Sequence, residues 1–189
     1  MNAVAPTSAR PTGIGPSRRP ADDLDREILT WERFGTAVRQ LAQQLALSGY
    51  TPDLVLAIAR GGLPIAGGLA YALGAQAVGT ITVDRAAGPD RCLDLPGVHP
   101  DGPPRWSPGM RVLVVDDIAT TGSTLESAVA AVSATGAQVR TAVLFARPGS
   151  CVRPGYWWRE TDRRVELPWS ALPPVGDAAV RFIDDTATD

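Results

Sequence analysis

Two adjacent carboxylates and a run of hydroxyl residues lie together in residues 111–126, RVLVVDDIATTGSTLE. Asp116 and Asp117 follow an aliphatic run, and residues 120–124 add four hydroxyls and one glycine. Hydroxyls and backbone N–H groups at a helix N-terminus bind phosphate. Two carboxylates repel phosphate and suit sugar hydroxyls, or water on a magnesium ion. A ligand with a phosphate at one end and a diol at the other, such as a ribose 5-phosphate, fits this pattern.

The flanking residues predict the elements that hold this pattern. Residues 112–115 form a β-branched and aliphatic run, typical of a strand buried on both faces of a parallel sheet. Leu125, Val129 and Val132 recur at helical spacing, and Gly136 is a suitable helix stop. The stretch therefore predicts a strand, an acidic turn, a hydroxyl-rich loop and a helix. Receiver-like and other doubly wound domains with a metal share this order, and TTGST can simply cap a helix, so these alternatives stay open.

A second strand–turn–helix pattern comes earlier in the chain. Residues 54–59, LVLAIA, predict a buried strand that runs into Arg60, Gly61 and Gly62, and Pro64 suits the first turn of a helix that extends to Gly74. The glycines let the backbone turn its N–H groups inward, and the guanidinium offers two parallel donors to phosphate. The alternative is a plain turn with a surface arginine.

Composition narrows the function classes. A chain of 189 residues with a net charge of -2 suits one domain without a broad nucleic-acid-binding face. All 18 basic residues are arginine, so any fixed cation is a guanidinium. Two cysteines without metal-ligand spacing and one histidine argue against structural zinc. No apolar run has the length of a signal peptide or membrane span, which predicts a cytoplasmic protein.

The rest of the chain supplies the remaining elements. Residues 1–22 are rich in Pro, Ser, Gly and Arg and predict a disordered tail before a domain of residues 23–189. Thr30 is a helix N-cap before an amphipathic helix that ends near Ser48. Strands are expected at 78–83 and 139–145. Residues 84–109 are polar, proline-rich and without period, which predicts a functional or mobile loop, or a disordered insertion.

The stretch VLVVDDIATTGSTL resembles the phosphoribosyl pyrophosphate (PRPP) signature of the type I phosphoribosyltransferases. The resemblance implies that Asp116 and Asp117 hold the ribose hydroxyls, and Mg²⁺ through PRPP and water. It also implies that Asp116, Asp117, Thr120 and Arg60 act in catalysis, and that a cis peptide joins Ala59 to Arg60. The implied PRPP-binding residues are Arg60, Gly61, Gly62, Asp116, Asp117, Ala119, Thr120, Thr121, Gly122, Ser123 and Thr124.

The C-terminal part of the chain is similar to the hood of bacterial xanthine–guanine and hypoxanthine phosphoribosyltransferases. The shared features are a basic residue and proline after a strand, an aromatic pair, and a closing VELPW. The resemblance implies a core of about residues 30–146, a hood of about residues 147–175, and a dimer or tetramer. It places Ile118, Arg147, Arg164 and Val165 at the base. It also makes 84–109 a loop that closes over PRPP, with Arg85 and Arg91 reaching the pyrophosphate.

Three positions depart from that family pattern. Thr120 stands where the 6-oxopurine enzymes have an acid/base aspartate, and orotate enzymes have threonine there. Arg147 replaces a lysine that contacts the purine oxygen, and Arg164 replaces the aromatic that stacks on the base. Two arginines near the base favour a base with an anionic substituent over plain guanine or hypoxanthine.

The resulting prediction is an α/β fold, a doubly wound parallel sheet of about four or five strands with a small C-terminal hood. The predicted function is transfer of a 5-phosphoribosyl group from PRPP to a purine-like base, with release of pyrophosphate and Mg²⁺ as cofactor. One alternative is a non-catalytic regulator of the same fold that binds PRPP. Another is a metal-dependent phosphatase or receiver-like domain, which leaves the Arg-Gly-Gly turn unexplained.

Overall fold

The computed structural model describes residues 25–84, 91–98 and 107–174, with only the backbone for residues 84 and 91–98. The first half contains β1 (Arg26–Ile28), α1 (Trp31–Leu47), β2 (Leu54–Ile58), α2 (Gly62–Leu73), β3 (Val78–Asp84) and β4 (Arg91–Val98). The second half contains β5 (Arg111–Ala119), α3 (Ser123–Ser133), β6 (Gln138–Ala146), β7 (Tyr156–Glu160) and β8 (Arg164–Glu166). The predicted tail, residues 1–22, lies outside the described residues.

The main sheet has the strand order β4-β3-β2-β5-β6-β7. Five neighbouring strands of this sheet, β3, β2, β5, β6 and β7, are parallel to one another. Strand β4 pairs with β3 and runs antiparallel to it. The predicted doubly wound parallel sheet is therefore confirmed. Strand β7, from the segment assigned to the hood, forms the edge of this sheet beside β6. β1 and β8 form a separate parallel pair.

The two central strands are buried on both faces because their residues alternate between two cores. Val55 and Leu113 pack with α1 and α2, whereas Leu56 and Val114 pack with α3. The α1 helix begins after Thr30, whose side chain accepts a hydrogen bond from the Arg33 N–H at 3.3 Å. The carboxyl ends of the parallel strands lie together at one end of the sheet. The β2–α2 turn, the β5–α3 turn and the turn after β6 therefore meet there.

Two sequence predictions are wrong in part. Within the predicted loop of residues 84–109, residues 91–98 form strand β4, which pairs with β3 through a bulge between Val78 and Thr80. The partner strand supplies hydrogen bonds that local periodicity does not reveal, and an edge strand tolerates Pro96. The predicted acidic turn is also strand, because β5 keeps pairing with β6 as far as Ala119.

Smaller differences concern helix ends. The α2 helix begins at Gly62, before Pro64, and Gly74 ends it in a left-handed conformation with φ 70°. The α3 helix ends at Ser133, and Gly136 follows with φ 83°. Both predicted glycine stops thus take the positive φ that glycine favours, although the regular helix stops slightly earlier at α3.

Candidate active site

The two carboxylates lie in the last residues of β5, and both are partly buried. The backbone N–H of Asp117 donates to Asp116 Oδ1 at 2.9 Å, and the N–H of Ile118 donates to Asp117 Oδ1 at 2.7 Å. Each carboxylate thus accepts from the next amide in the chain. Pairing with the neighbouring strands fixes the backbone of β5, and the two local hydrogen bonds fix the orientation of the Asp116 and Asp117 side chains.

The Arg-Gly-Gly turn lies directly against these acids. A Cβ atom on Gly61 would lie 2.2 Å from Asp117 Oδ2, and one on Gly62 would lie 2.3 Å from the Val115 carbonyl oxygen. Neither position has room for a side chain, so this approach of the turn to β5 needs both glycines. The Ala59–Arg60 peptide is cis, as the resemblance implies. Arg60 itself is exposed at the beginning of the turn.

The hydroxyl-rich loop leads into α3. Gly122 is the N-cap, with φ 88°, and its hypothetical Cβ would lie 2.4 Å from Ser150 Oγ. Thr121 Oγ1 and Ser123 Oγ lie 3.0 Å apart. The Cys151 N–H donates to the Thr121 carbonyl at 2.7 Å. The segment after β6 therefore supports this loop from behind, a contact that the sequence patterns did not reveal.

A cavity of about 170 Å³ lies inside this loop. Its lining consists of Asp116, Ile118, Ala119, Thr120, Thr121, Gly122, Thr124 and Leu125. A larger cleft of about 350 Å³ between α1 and α2 contains none of the predicted site residues. The structure therefore brings most of the predicted PRPP-binding residues of the β5–α3 turn together around one cavity. The Arg-Gly-Gly turn lies against Asp117, which is not among the residues that line this cavity.

Burial raises the pKa of the Asp117 carboxyl above its ordinary value of 3.8. The Ile118 backbone N–H, the Trp169 indole and Asp116 act in the opposite direction. The ionised form of Asp117 is therefore poorly solvated and accepts few hydrogen bonds. Sugar hydroxyls that donate to it would favour the charged form.

The residues predicted to lie at the base are held by different means. Arg147 donates from Nη1 to the Asp162 carbonyl at 2.9 Å and from Nη2 to the Arg163 carbonyl at 3.4 Å. Its Nε is buried without a hydrogen-bond partner among the described residues. The guanidinium thus binds the turn between β7 and β8. This geometry differs from the direct base contact that the resemblance implies for Arg147.

Arg164 and Val165 begin β8. Arg164 is exposed, and its backbone N–H donates to the Asp25 carbonyl at 3.3 Å. Val165 is half-buried and packs on the same core as Ile118. Arg26 and Glu166 form an ion pair at 3.0 Å across β1 and β8. This β1–β8 clamp was not predicted, because its two strands are each three residues long and lie far apart in sequence.

The two loop arginines remain outside this geometry. Arg85 lies outside the described residues. Arg91 begins β4 opposite Asp84, and its side chain is not described. Their assignment to the pyrophosphate stays a prediction.

The acids also bear on the implied Mg²⁺. The described residues contain no cluster of three or more potential metal ligands. Asp116 and Asp117 offer the carboxylate oxygens that Mg²⁺ prefers, but too few to complete its six ligands. This donor set fits an ion held largely by PRPP oxygens and water.

Comparison with known proteins identifies the family. The phosphoribosyl transferase domain model matches residues 26–174. The chain belongs to this family. It is 33% identical over 148 residues to an orotate phosphoribosyltransferase of Pyrobaculum aerophilum, covering 75% of this chain and 72% of that protein. The enzyme class is therefore phosphoribosyltransferase, and the reaction is transfer of a phosphoribosyl group from PRPP to a base.

Solved structures show the same fold. A purine phosphoribosyltransferase of Pyrococcus horikoshii superposes with a TM-score of 0.68 at 30% identity, covering 80% of this chain and 98% of that one. A xanthine-guanine-hypoxanthine phosphoribosyltransferase of Helicobacter pylori superposes with a TM-score of 0.65 at 17% identity, covering 77% and 93%, and shows the fold alone. Within the described ranges, no helix has the length and apolar character needed to cross a bilayer.

Proposed function

We propose that the base accepted by this enzyme carries an anionic substituent, as in a carboxylated deazapurine, imidazole or pyrimidine. The observation that carries the proposal is Arg164, an exposed guanidinium at the position of the family's stacking aromatic. Among the described residues no hydrogen bond or ion pair involves its side chain. A carboxylate would supply a forked, charge-assisted partner, whereas a neutral purine would desolvate the cation without one.

Thr120 is compatible with the same proposal. It lines the cavity beside Asp116, and its hydroxyl cannot hold or give a proton near neutral pH. The attacking ring nitrogen of a neutral or a carboxylated base loses its proton on transfer, and without an aspartate here that proton passes to water or to an oxygen of the departing pyrophosphate. The orotate enzymes, whose base is carboxylated, have threonine at this position.

The relatives point in two directions. One is named for orotate, which is a carboxylated pyrimidine, and another for purines. Both lie near 30% identity, so neither name decides the base. The competing outcome is salvage of guanine, xanthine or hypoxanthine.

The proposed roles of the other residues follow from the site. Asp116 and Asp117 hold the ribose hydroxyls and stabilise positive charge that develops at the anomeric carbon. Residues 120–124 and the N-terminus of α3 bind the 5-phosphate. Arg60 binds the departing pyrophosphate. Mg²⁺, held through PRPP and water beside the two acids, supplies charge neutralisation of the pyrophosphate. The products are a nucleoside 5'-monophosphate and pyrophosphate.

The test measures pyrophosphate release with PRPP, Mg²⁺ and one base at a time: orotate, a carboxylated deazapurine, xanthine, guanine and hypoxanthine. Arg164→Gln should reduce kcat/KM for the carboxylated base about tenfold or more, since a hydrogen bond to a charged group is lost. Arg163→Gln is the matched control, because that neighbouring arginine is also exposed. If guanine is the best substrate and both variants keep the ranking, the anionic-base proposal is wrong. A regulator that only binds PRPP would release no pyrophosphate with any base.

The resemblance also predicts a homo-oligomer, and the net charge and the lack of long apolar runs predict a cytoplasmic protein without nucleic-acid or membrane partners. Sedimentation equilibrium of the purified chain tests the first of these predictions.

A further inference from the structure

The turn after β6, residues 147–152, packs against the loop between β5 and α3. The Arg147 N–H donates to the Ala119 carbonyl at 3.0 Å. The Cys151 N–H donates to the Thr121 carbonyl at 2.7 Å. The turn therefore holds the loop by two backbone carbonyls that are two residues apart, which fixes the path of the chain between them.

The side chain of Ser150 continues this contact as far as Gly122. A Cβ atom on Gly122 would lie 2.4 Å from Ser150 Oγ and 2.9 Å from the Val152 nitrogen. The hydroxyl is itself fixed, because it donates to the Val152 carbonyl at 2.8 Å. Val152 in turn packs on the core that contains the buried face of α3. Ser150 Oγ thus limits how far Gly122 can move toward the turn.

The position of Gly122 determines where the first N–H groups of α3 point. Gly122 is the N-cap of this helix and has φ 88°. The first N–H groups of a helix have no partner within the helix, and these donors suit a phosphate. Glycine has more backbone freedom than any other residue, so contacts from outside must restrict it. The Ser150 hydroxyl supplies such a contact.

We propose that Ser150 is a positioning residue for the 5-phosphate of PRPP, which acts by holding Gly122 and the beginning of α3 in place. Ser150 is not among the residues that line the cavity, so it has no part in direct binding. The proposal rests on the 5-phosphate role given to residues 120–124 above and is independent of the base. It gives the turn after β6 a part in PRPP binding, although its first residue, Arg147, serves the base half.

The test is Ser150→Ala, which removes the hydroxyl and keeps the Cβ. Kd for ribose 5-phosphate by calorimetry, and KM for PRPP, should rise about three- to tenfold, the range that corresponds to the loss of one neutral hydrogen bond. The 5-phosphate is held equally in the ground state and in the transition state, so kcat at saturating PRPP should stay near wild type. Kd for pyrophosphate with Mg²⁺ should also stay unchanged, because that ligand has no 5-phosphate.

Ser48→Ala is the matched control, because it removes the same group from another turn. The Ser48 hydroxyl donates to the Leu45 carbonyl at 2.7 Å and lies 2.6 Å from the hydroxyl of Tyr156, the first residue of β7. It therefore lies at the amino-terminal ends of the parallel strands, away from the cavity. Ser48→Ala shows what the loss of a turn hydroxyl does to the melting temperature, and Kd for ribose 5-phosphate should equal that of the wild type.

Gly122→Ala separates the possible failures, since it displaces the loop itself. If Gly122→Ala leaves Kd for ribose 5-phosphate unchanged, the loop does not bind the 5-phosphate, and the positioning role fails with that assignment. If Gly122→Ala weakens binding but Ser150→Ala binds like the wild type, the positioning role alone is wrong. An equal change in Ser48→Ala, or an equal rise of Kd for pyrophosphate in Ser150→Ala, would overturn it as well.

Discussion

The two halves of the candidate active site are held together by different means. On the proposed PRPP side, glycine backbone packs directly against neighbouring atoms, and a single added Cβ at Gly61, Gly62 or Gly122 would lie within 2.4 Å of one of them. On the base side, long side chains hold the parts: Arg147 binds the carbonyls of Asp162 and Arg163, and Arg26 pairs with a glutamate of β8.

This difference teaches where substitution is tolerated. Phosphate and ribose are the same in every PRPP molecule, so a rigid backbone cradle suits them. Side chains at the end of a short strand can be exchanged without moving the sheet. Arg147, Arg164 and Thr120 depart from the family pattern on or beside the base half, whereas the glycines do not.

The largest expected effect is that of Gly61→Ala. The new methyl would meet the Asp117 carboxylate at 2.2 Å, so turn and acid must separate. A misplacement of about 1 Å can cost about 100-fold in rate, and kcat/KM for PRPP should fall by at least that factor. Gly67→Ala is the control, because nothing lies within 4 Å of its Cβ and alanine favours the helix by up to about 1 kcal/mol. Similar losses in both variants would contradict the tight-cradle description.

Asp117→Asn should lower activity and raise stability. Because burial raises the pKa of Asp117, the folded protein holds this proton more tightly than the unfolded chain does. Its stability contribution is thus complete below the unfolded pKa of about 3.9 and is lost as pH rises through the folded pKa. We expect a higher melting temperature than wild type at pH 7 without Mg²⁺ or PRPP, no gain near pH 3, and about tenfold lower kcat/KM. A pH-independent difference would refute the burial argument.

Arg147→Met should affect the base half alone. It removes two hydrogen bonds to the turn between β7 and β8, so amide exchange over residues 160–165 should increase and KM for the base should rise about three- to tenfold. KM for PRPP should not change. Arg153→Met serves as control, since Arg153 is exposed and, among the described residues, pairs with Glu160 at 3.5 Å and with the Trp157 ring. A change confined to KM for PRPP would show that Arg147 serves the other half.

The smallest effect is expected from Asp53→Asn. Asp53 lies at the amino-terminal ends of the parallel strands, opposite the candidate active site. Asp53 accepts from the Arg111 Nη2 at 2.7 Å and from the Arg111 backbone N–H at 2.8 Å, which joins the beginnings of β2 and β5. The Arg111 guanidinium, and then its N–H, lower the pKa of Asp53. This stabilisation is present above the unfolded pKa of about 3.9 and is lost as pH falls through the folded pKa.

Asp53→Asn should therefore lower the melting temperature slightly at pH 7, and the difference should vanish in acid. Activity with PRPP should equal that of the wild type. Reduced activity at unchanged stability would mean that the two ends of the sheet are coupled.

The elements with a strong local signal were predictable from sequence. The helix after Thr30, the buried runs of β2 and β5, and the glycine turns depend on neighbouring residues, because capping, periodicity and backbone freedom act over a few positions. The same locality predicted that Asp116, Thr121 and their neighbours lie close together, and the structure forms a cavity among them at the end of β5.

Contacts between distant residues were decided by tertiary structure. Strand β4 forms because it can pair with the edge strand β3, and β7 pairs with β6 in the main sheet. Strand β1 pairs with β8, although 135 residues or more separate the two strands in sequence. Side-chain direction was equally hidden, because nothing in the sequence turns Arg147 toward the carbonyls of Asp162 and Arg163. A sequence records which donors and acceptors are present, but burial and strand register determine which of them meet.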